Sequence, residues 1–230
     1  MNGILLVDKP HGWTSFDVVN YVRKMVAASE GKKPKNTKVG HTGTLDPMAT
    51  GLLVLLIGKD YTRRAGEFSK LDKTYEVVAR LGQTSTTGDE EGGKTAVSDT
   101  VPSEEAIREA LEQFRGEISQ VPPQYSAIKI NGQRAYDLAR KGKIAEIEPR
   151  TVRIDRIELT KYQYPDVHFV CDVSSGTYIR SLVEDIGQAL GTGAYTTALR
   201  RTRVGELRIA DAVTIDRVTS EPLTSLLLQD

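Results

Sequence analysis

The chain has 230 residues, with 31 Lys+Arg balanced by 31 Asp+Glu, and its apolar and charged contents of 39% and 27% are typical of a globular protein. Its one cysteine, Cys171, excludes an internal disulfide, and with three histidines in the chain a structural zinc site is disfavoured. No apolar stretch is long enough to span a membrane, and residues 1–8 lack a signal-peptide pattern, so we expect a reducing, cytoplasmic location.

The charges are distributed unevenly along the chain. Residues 1–75 carry 12 basic and 7 acidic residues, whereas residues 76–123 carry 4 basic and 10 acidic ones. Because the local field rather than the net charge attracts an anionic partner, a neutral protein of this kind can still present a basic surface.

The N-terminal third predicts a strand, a helix, a basic loop and a second strand. Residues 4–7 are expected to form the first strand, and Ser15 is expected to cap a helix that continues to about Ala27. Residues 29–38 predict a basic loop without an apolar anchor, and the run LLVLLI at residues 52–57 indicates a buried strand.

Downstream, helices and strands follow one another irregularly. Strands are predicted at residues 73–81, 126–130, 150–162, 167–174 and within the basic stretch 198–212. Helices are predicted at residues 60–71, 103–114 with Ser103 as the cap, 135–141, and 178–190 with Gly191 at the end. The polar, acidic residues 83–100 predict a mobile loop. Without regular βαβ alternation, the expected fold class is mixed α/β (α+β), with a central, largely antiparallel sheet flanked by helices.

Residues 40–51, GHTGTLDPMATG, place a single carboxylate in a glycine-rich segment. Asp46 has no second acidic residue within ten positions on either side, and Pro47 directs it away from helical backbone. The buried strand that follows would anchor the segment to the core, which is where functional groups are often mounted. Taken alone, however, an Asp-Pro pair in such a loop is more often a turn former.

Three further segments combine aromatic and charged residues: KTY at residues 73–75, PPQYSAIK at 122–129 and SGTYIR at 175–180. An arginine in the first turn of a helix opposes the helix dipole, so Arg180 suggests a carboxylate or phosphate partner. The alternative is an i,i+4 pair with Glu184. For Tyr75 and Tyr178, the alternative is packing with a hydrogen-bonded hydroxyl.

Several familiar sites are absent from the sequence. There is no P-loop, no dinucleotide-binding fingerprint and no nucleophile elbow. The three histidines are too scattered to suggest a metal, so we expect neither a metal nor a cofactor. An aspartyl-phosphate site at Asp46 is disfavoured because no further acid is available nearby for magnesium.

Together with GILLVDKPHGWTS at residues 3–15, these segments resemble, in order, the TruB-type tRNA pseudouridine synthases, from residue 3 to about residue 217. The resemblance implies the pseudouridine synthase fold and a cofactor-free isomerisation of uridine to pseudouridine in the T loop of tRNA, at position 55 in tRNA numbering. It implies one catalytic domain over residues 1–230 without a complete C-terminal RNA-binding domain of the PUA type. The expected partner is the T arm of tRNA, bound by a monomer.

The resemblance also assigns roles to residues. Asp46 would attack the nucleotide or its ribose so that the base detaches, turns and rejoins through carbon; Tyr75 would stack on the base and is a candidate for proton removal; Arg180 would pair with Asp46. Substrate-binding roles are expected for His41, Tyr178, Leu199 and Lys9. Contacts to RNA phosphates are expected from Lys32, Lys33, Lys35, Lys38, Arg200, Arg201 and Arg203. The alternative from another class is a non-catalytic RNA-binding or tRNA-folding module.

Overall fold

The computed structural model describes residues 1–126, 128–130, 132–139, 142 and 146–228. The described strands are β1 Gly3–Lys9, β2 Val39–His41, β3 Thr50–Ile57, β4 Lys73–Leu81, β5 Gln83–Ser85, β6 Lys94–Ala96, β7 Gly116–Gln120, β8 Lys129–Ile130, β9 Gln133–Arg134, β10 Arg150–Gln163, β11 Asp166–Val173, β12 Ala194–Val204 and β13 Leu207–Arg208. The described helices are α1 Ser15–Ser29, α2 Lys59–Arg63, α3 Ala65–Ser69, α4 Glu104–Glu112, α5 Ala135–Ala139, α6 Ile179–Ala189, α7 Ile215–Ser220 and α8 Leu223–Leu226, with 3-10 turns at Pro34–Asn36 and Ile209–Asp211.

The chain divides into two compact units. The first unit comprises Met1–Tyr75 and Leu199–Asp230, and the second comprises Glu76–Ala198. Strands β4 and β12 each begin in one unit and end in the other, because the unit boundaries fall within them. A single catalytic domain over residues 1–230 stays a prediction.

The first unit is organised around β3. This strand pairs antiparallel with β1 and β2 and runs parallel to the end of β12. One face of the β1–β3 pair forms an apolar cluster of Ile4, Leu6, Leu52, Val54, Leu56 and Val204, against which side chains of α2 and α3 pack. The opposite-facing residues Leu53, Leu55 and Ile57 are also fully buried. Burial on both faces explains why the sequence of β3 is continuously apolar rather than alternating.

The second unit contains the strand order β12-β4-β11-β10-β7. Its β10–β11 and β10–β7 pairs are antiparallel, and α4 packs on β10 and on α6. Helices and a mostly antiparallel sheet therefore confirm the predicted mixed α/β class.

No helix of the described residues has both the length and the apolar character needed to cross a membrane.

Local predictions differ from the structure at a few points. Thr14, not Ser15, caps α1, through a capping box in which its hydroxyl accepts from the Asp17 amide and the Asp17 carboxylate accepts from the Thr14 amide. Residues 60–71 form two short helices rather than one. The mobile loop predicted at residues 83–100 is wrong in part, because β5 and β6 pair as a hairpin there. Of the strand predicted at residues 126–130, the structure shows β8 over Lys129–Ile130. Residue 127 of that strand and residues 140–141 of the helix predicted at 135–141 lie outside the described residues.

Candidate active site

The loop that carries Asp46 joins β2 to β3 and is tied down on both sides of the carboxylate. The Ser15 hydroxyl of α1 donates to the Leu45 carbonyl at 2.9 Å and accepts from the Leu45 amide at 2.8 Å. On the other side, the Gly12 amide donates to the Pro47 carbonyl at 2.8 Å. Leu45 is itself buried. Asp46 therefore lies on a turn whose main chain is hydrogen-bonded on both sides of it.

Two buried cations support this loop from neighbouring strands. In the strand register, Lys9 of β1 lies opposite Gly51 of β3, and Gly51 lies opposite Arg201 of β12, so the three residues form one row. Gly51 has a φ of +100°, and a Cβ atom there would lie 2.3 Å from the Arg201 carbonyl oxygen. Only glycine fits in the middle of this row, because a side chain would push β3 and β12 apart.

Both cationic side chains of the row donate to main-chain carbonyl oxygens, Arg201 on and beside the Asp46 loop and Lys9 on that loop and on the segment between β1 and α1. Arg201 is 2% exposed, and its guanidinium donates to Leu52 at 2.8 Å, to Gly43 at 3.0 Å and to Thr44 at 3.4 Å. Lys9 is 0% exposed, and its ammonium donates to Trp13 at 2.6 Å, Pro10 at 2.9 Å and Pro47 at 3.3 Å. The Lys9 ammonium and each of the three guanidinium nitrogens of Arg201 therefore hold main chain.

The electrostatics of the first unit are dominated by these buried cations. Burial lowers the pKa of Lys9 to about 8, and the nearby Asp46 carboxylate acts in the opposite direction, while Arg201 lowers it further. Burial and Arg201 likewise lower the pKa of Lys73 to about 8. The same two causes lower the pKa of His41, so this imidazole is neutral at pH 7. The Asp46 carboxyl group thus lies near a lysine that is held away from water.

Three other predicted site residues belong to the first unit. His41 ends β2, and its buried Nδ1 has no hydrogen-bond partner in the part of the chain that the structure describes. Tyr75 and Leu199 are each 7% exposed and lie on β4 and β12. The first unit therefore contains Asp46, Tyr75, His41, Leu199 and Lys9 of the predicted site.

The second unit contains the remaining two, Tyr178 and Arg180, at the start of α6. Arg180 is 4% exposed, and its guanidinium donates to the Thr87 carbonyl at 2.8 Å and to the Tyr125 carbonyl at 2.7 Å. Its Nη1 also lies 3.5 Å from the Asp89 carboxylate. The predicted pairing of Arg180 with Asp46 stays a prediction.

Asp89 is a functional candidate that the sequence analysis missed. It is buried in the turn of the β5–β6 hairpin, where its Oδ1 accepts from the Thr87 hydroxyl at 2.5 Å and from the Glu91 amide at 3.1 Å. The only available signal was the Thr-x-Asp spacing, which is common in polar turns. Burial raises the pKa of Glu184, one turn along α6, and Arg180 opposes this shift. Two acids therefore act on Arg180 from different elements.

The predicted phosphate contacts differ in exposure. Lys32, Lys33, Lys35 and Lys38 are exposed on the basic loop, although Lys32 also pairs with Glu30 at 3.0 Å. Arg200 forms a two-point ion pair with Asp8, at 3.0 and 2.7 Å. Arg203 donates to the Thr74 hydroxyl at 2.8 Å and to the Gly205 carbonyl at 2.9 Å. Arg201 differs from the others, because its guanidinium is buried on the Asp46 loop.

The residues that the structure describes contain no group of three or more His, Cys, Asp or Glu side chains arranged to hold a metal ion.

Comparison with known proteins identifies the family. The sequence model of the TruB family pseudouridylate synthase N-terminal domain matches residues 31–179, and that of the tRNA pseudouridylate synthase B C-terminal domain matches residues 180–225. The chain is 46% identical over 236 aligned residues to tRNA pseudouridine synthase B of Mycobacterium bovis (strain BCG / Pasteur 1173P2), covering 99% of this chain and 75% of the relative. It is 47% identical over 216 residues to tRNA pseudouridine synthase B of Burkholderia mallei (strain NCTC 10247), covering 94% and 68%.

Solved structures agree with this assignment. A chain of a Cbf5-Nop10-Gar1 complex superposes with a TM-score of 0.69 at 32% identity, covering 93% of this chain and 54% of that one. A chain of an H/ACA RNP bound to a substrate RNA containing 2′-deoxyuridine gives a TM-score of 0.67 at 30% identity, covering 94% and 52%. The chain thus spans about half the length of these structural relatives. By family match and by identity over nearly its whole length, the chain belongs to the TruB family of pseudouridylate synthases.

Proposed function

We propose that this chain isomerises uridine to pseudouridine at position 55 in the T loop of tRNA, without a cofactor. The observation that carries the proposal is the Asp46 loop, whose main chain on both sides of the carboxylate is held by Ser15, Lys9 and Arg201 in a member of the TruB family. A fixed carboxylate suits covalent catalysis, because a nucleophile must be held close to the reacting atom. The names of the curated relatives supply tRNA as the substrate class.

The reaction is an isomerisation in which nothing is consumed. Asp46 attacks either C1′ of the ribose, which displaces N1, or the uracil ring, after which the N1–C1′ bond breaks. The base turns and a C5–C1′ bond forms. The bond to Asp46 then breaks, which regenerates the carboxylate, and the proton lost from C5 is balanced by one gained at N1. Tyr75 is proposed to stack on the base and to take part in removing the C5 proton, while Arg180 pairs with the Asp46 carboxylate.

The target uridine must leave its stack to be reached, so the site needs surfaces that receive it. We propose that His41, Tyr178 and Leu199 line the uracil pocket, because neutral imidazole, aromatic and aliphatic groups suit a base. Lys9 and Arg201 are proposed instead to support the Asp46 loop, since their donors already bind carbonyl groups and their side chains are buried.

Four exposed lysines and two half-buried arginines are proposed to hold RNA phosphates. These are Lys32, Lys33, Lys35 and Lys38 on the basic loop, with Arg200 and Arg203 on β12. We further propose that a monomer in the cytoplasm recognises the T arm through these groups. Binding should then weaken steeply as salt rises, because each phosphate contact releases counterions.

The test is incubation of the protein with an unmodified tRNA transcript, followed by measurement of pseudouridine at each uridine. Product confined to the T-loop position, and absent from a transcript with cytidine there, is the expected result. Chelation with EDTA should leave the rate on a T-arm stem-loop unchanged, because this small RNA folds without the magnesium that full tRNA needs. Tight binding of tRNA without any pseudouridine would instead favour a non-catalytic RNA-binding module.

The T-arm proposal has its own measurement. An isolated T-arm stem-loop should be modified nearly as efficiently as full tRNA. A kcat/KM on the stem-loop more than about a hundredfold lower, or roughly 2.7 kcal/mol of lost transition-state stabilisation, would show that contacts outside the T arm matter.

A further inference from the structure

The start of α6 carries two proposed site residues but has no cap of its own. Tyr178 is the N-cap residue, with extended backbone, and its side chain makes no capping hydrogen bond. Arg180 in the first turn adds a positive charge where the helix dipole is already positive. This turn therefore needs support from elsewhere in the second unit.

Gln120, the last residue of β7, supplies that support. Its side chain is 0% exposed. Its Nε2 donates to the Tyr178 carbonyl at 3.1 Å, and its Oε1 accepts from the Tyr178 amide at 2.8 Å. One side-chain amide thus binds both main-chain groups of Tyr178, whose carbonyl also accepts from the Leu182 amide at 3.1 Å. Because it is buried, Gln120 acts on Tyr178 rather than on a ligand.

The segment after Gln120 continues the contact with the first turn of α6. The Val121 carbonyl accepts from the Ser181 hydroxyl at 2.9 Å, and the Tyr125 carbonyl accepts from the Arg180 guanidinium at 2.7 Å. Pro122 and Pro123 lie between these two acceptors and restrict φ, which keeps the acceptors at a set spacing.

The Tyr178 ring contacts a side chain of β10, the strand that pairs with β7. Arg150 of β10 lies directly opposite Gln120 in the β7–β10 register. Its guanidinium carbon lies 4.8 Å from the centre of the Tyr178 ring, which is a cation–π distance. Adjacent positions on two paired strands therefore fix the main chain and the ring of the same residue.

We propose that Gln120 is a positioning residue for the isomerisation. Its two hydrogen bonds fix the position of the first turn of α6 along the helix axis and its rotation about that axis, so that Tyr178 and Arg180 are oriented before RNA binds. The proposal rests on the roles given to Tyr178 and Arg180 under the proposed function. A side-chain amide is needed because it offers one donor and one acceptor in the same plane. An apolar side chain of similar length would leave the amide and the carbonyl of Tyr178 without this partner.

The first test compares Gln120→Met with Ile118→Ala, a control on the same strand that removes packing but no hydrogen bond to Tyr178. For Gln120→Met we expect kcat to fall by about tenfold or more, because a displacement of ~1 Å can cost about a hundredfold. The Kd for tRNA should stay within about twofold. Ile118→Ala should lower Tm with kcat unchanged. An unchanged kcat in Gln120→Met, or an equal loss in both variants, would overturn the proposal.

A second variant keeps the proposal testable if Gln120→Met does not fold. In Gln120→Glu, the ionised carboxylate can accept from the Tyr178 amide but cannot donate to its carbonyl, whereas the protonated acid can do both. The ratio of the variant's kcat to the wild-type kcat should therefore rise as pH falls from about 8 to about 5. A ratio that is flat across this range contradicts a positioning role for the amide donor.

Arg180→Ala, measured alongside, separates this inference from the proposed function. If Arg180→Ala is slow and Gln120→Met is fully active, the positioning role alone is overturned. If Arg180→Ala is fully active while Gln120→Met is slow, the proposed role of Arg180 fails and the positioning role is confined to Tyr178. If both variants are fully active, both proposals fail.

Discussion

The Asp46 loop and the first turn of α6 are supported by opposite chemistry. Asp46 is an acid whose surrounding main chain is held by buried cations, with Lys9 and Arg201 donating to carbonyl oxygens. Arg180 is a cation held by acceptors, namely two carbonyl groups and the carboxylate of Asp89. In each region, the supporting groups come from elements that are distant in sequence.

In both regions, the proposed reactive residue and the groups that hold it are different residues, so each can be substituted separately. A reactive group should control the chemical step alone, whereas a supporting group should affect stability as well, because its bonds hold main chain. The following substitutions test that distinction in both regions.

The largest effect is expected for Asp46→Asn, which removes the negative charge but preserves the shape of the side chain. Turnover measured under single-turnover conditions should fall by at least ~10⁴-fold, with the Kd for tRNA within about twofold of the wild type. Asp60→Asn, at an exposed position of α2, is the matched control and should be fully active. Wild-type turnover in Asp46→Asn would show that the Asp46 carboxylate takes no part in the reaction.

For the second region, Arg180→Ala should slow the chemical step by about 10²- to 10³-fold, because it removes the positive charge that we propose pairs with Asp46. Binding of tRNA should change much less. Glu184→Ala is the matched comparison on the next turn of α6. If Glu184→Ala were as damaging and Arg180→Ala harmless, Arg180 would be a helix-pairing residue and not part of the site.

Arg201→Met tests a supporting residue in the first region. Three carbonyl groups lose their donor, so we expect ~3 kcal/mol less unfolding free energy and a kcat lowered by about tenfold or more. Arg208→Met, at an exposed position of β13, should change neither.

The same variant distinguishes loop support from phosphate binding. The slope of log K for tRNA against log salt should be unchanged in Arg201→Met, whereas Lys33→Ala should reduce it by about 0.9. A reduced slope in Arg201→Met would instead support the phosphate contact that the sequence analysis predicts for Arg201.

The smallest effect is a pH dependence of stability that comes from Lys9. Its pKa of about 8 in the folded protein lies below the ordinary value of 10.5, so above pH 8 the unfolded chain binds a proton that the folded chain has released. The Lys9 contribution to the unfolding free energy therefore rises with pH between about 8 and 10.5. The wild-type value minus that of Lys9→Met should grow by ~2 kcal/mol from pH 8 to pH 10. Denaturant titrations at several pH values measure this, and a constant difference would contradict the lowered pKa.

Much of the fold was predictable because its elements carry local signals. Short stretches of sequence were enough to predict the apolar strand β3, the amphipathic helix α6 and the Ser103 cap of α4. The cap of α1 was misplaced by one residue because Thr14 and Ser15 are both good caps. Only the contact with Leu45 shows that Ser15 has a different partner.

The β5–β6 hairpin was misread for a physical reason. Its sequence is polar and rich in glycine, which usually indicates a mobile loop. Order there comes from Asp89 and Ser85, which are buried and hydrogen-bonded, and from the approach of α6, where a Cβ on Gly88 would lie 2.7 Å from the Glu184 carboxylate. Burial of this kind depends on elements about a hundred residues away and leaves no local pattern.

The sequence by itself determined the family, the fold class and the identity of the candidate reactive residues, because motif order and hydrophobic periodicity are properties of the chain alone. Tertiary structure decided which cations are exposed and which are buried. Arg200, Arg201 and Arg203 are near neighbours in one basic stretch, yet only strand register and burial turn Arg201 towards the Asp46 loop. A side chain's role there depends on what lies across the sheet, which no local window of sequence contains.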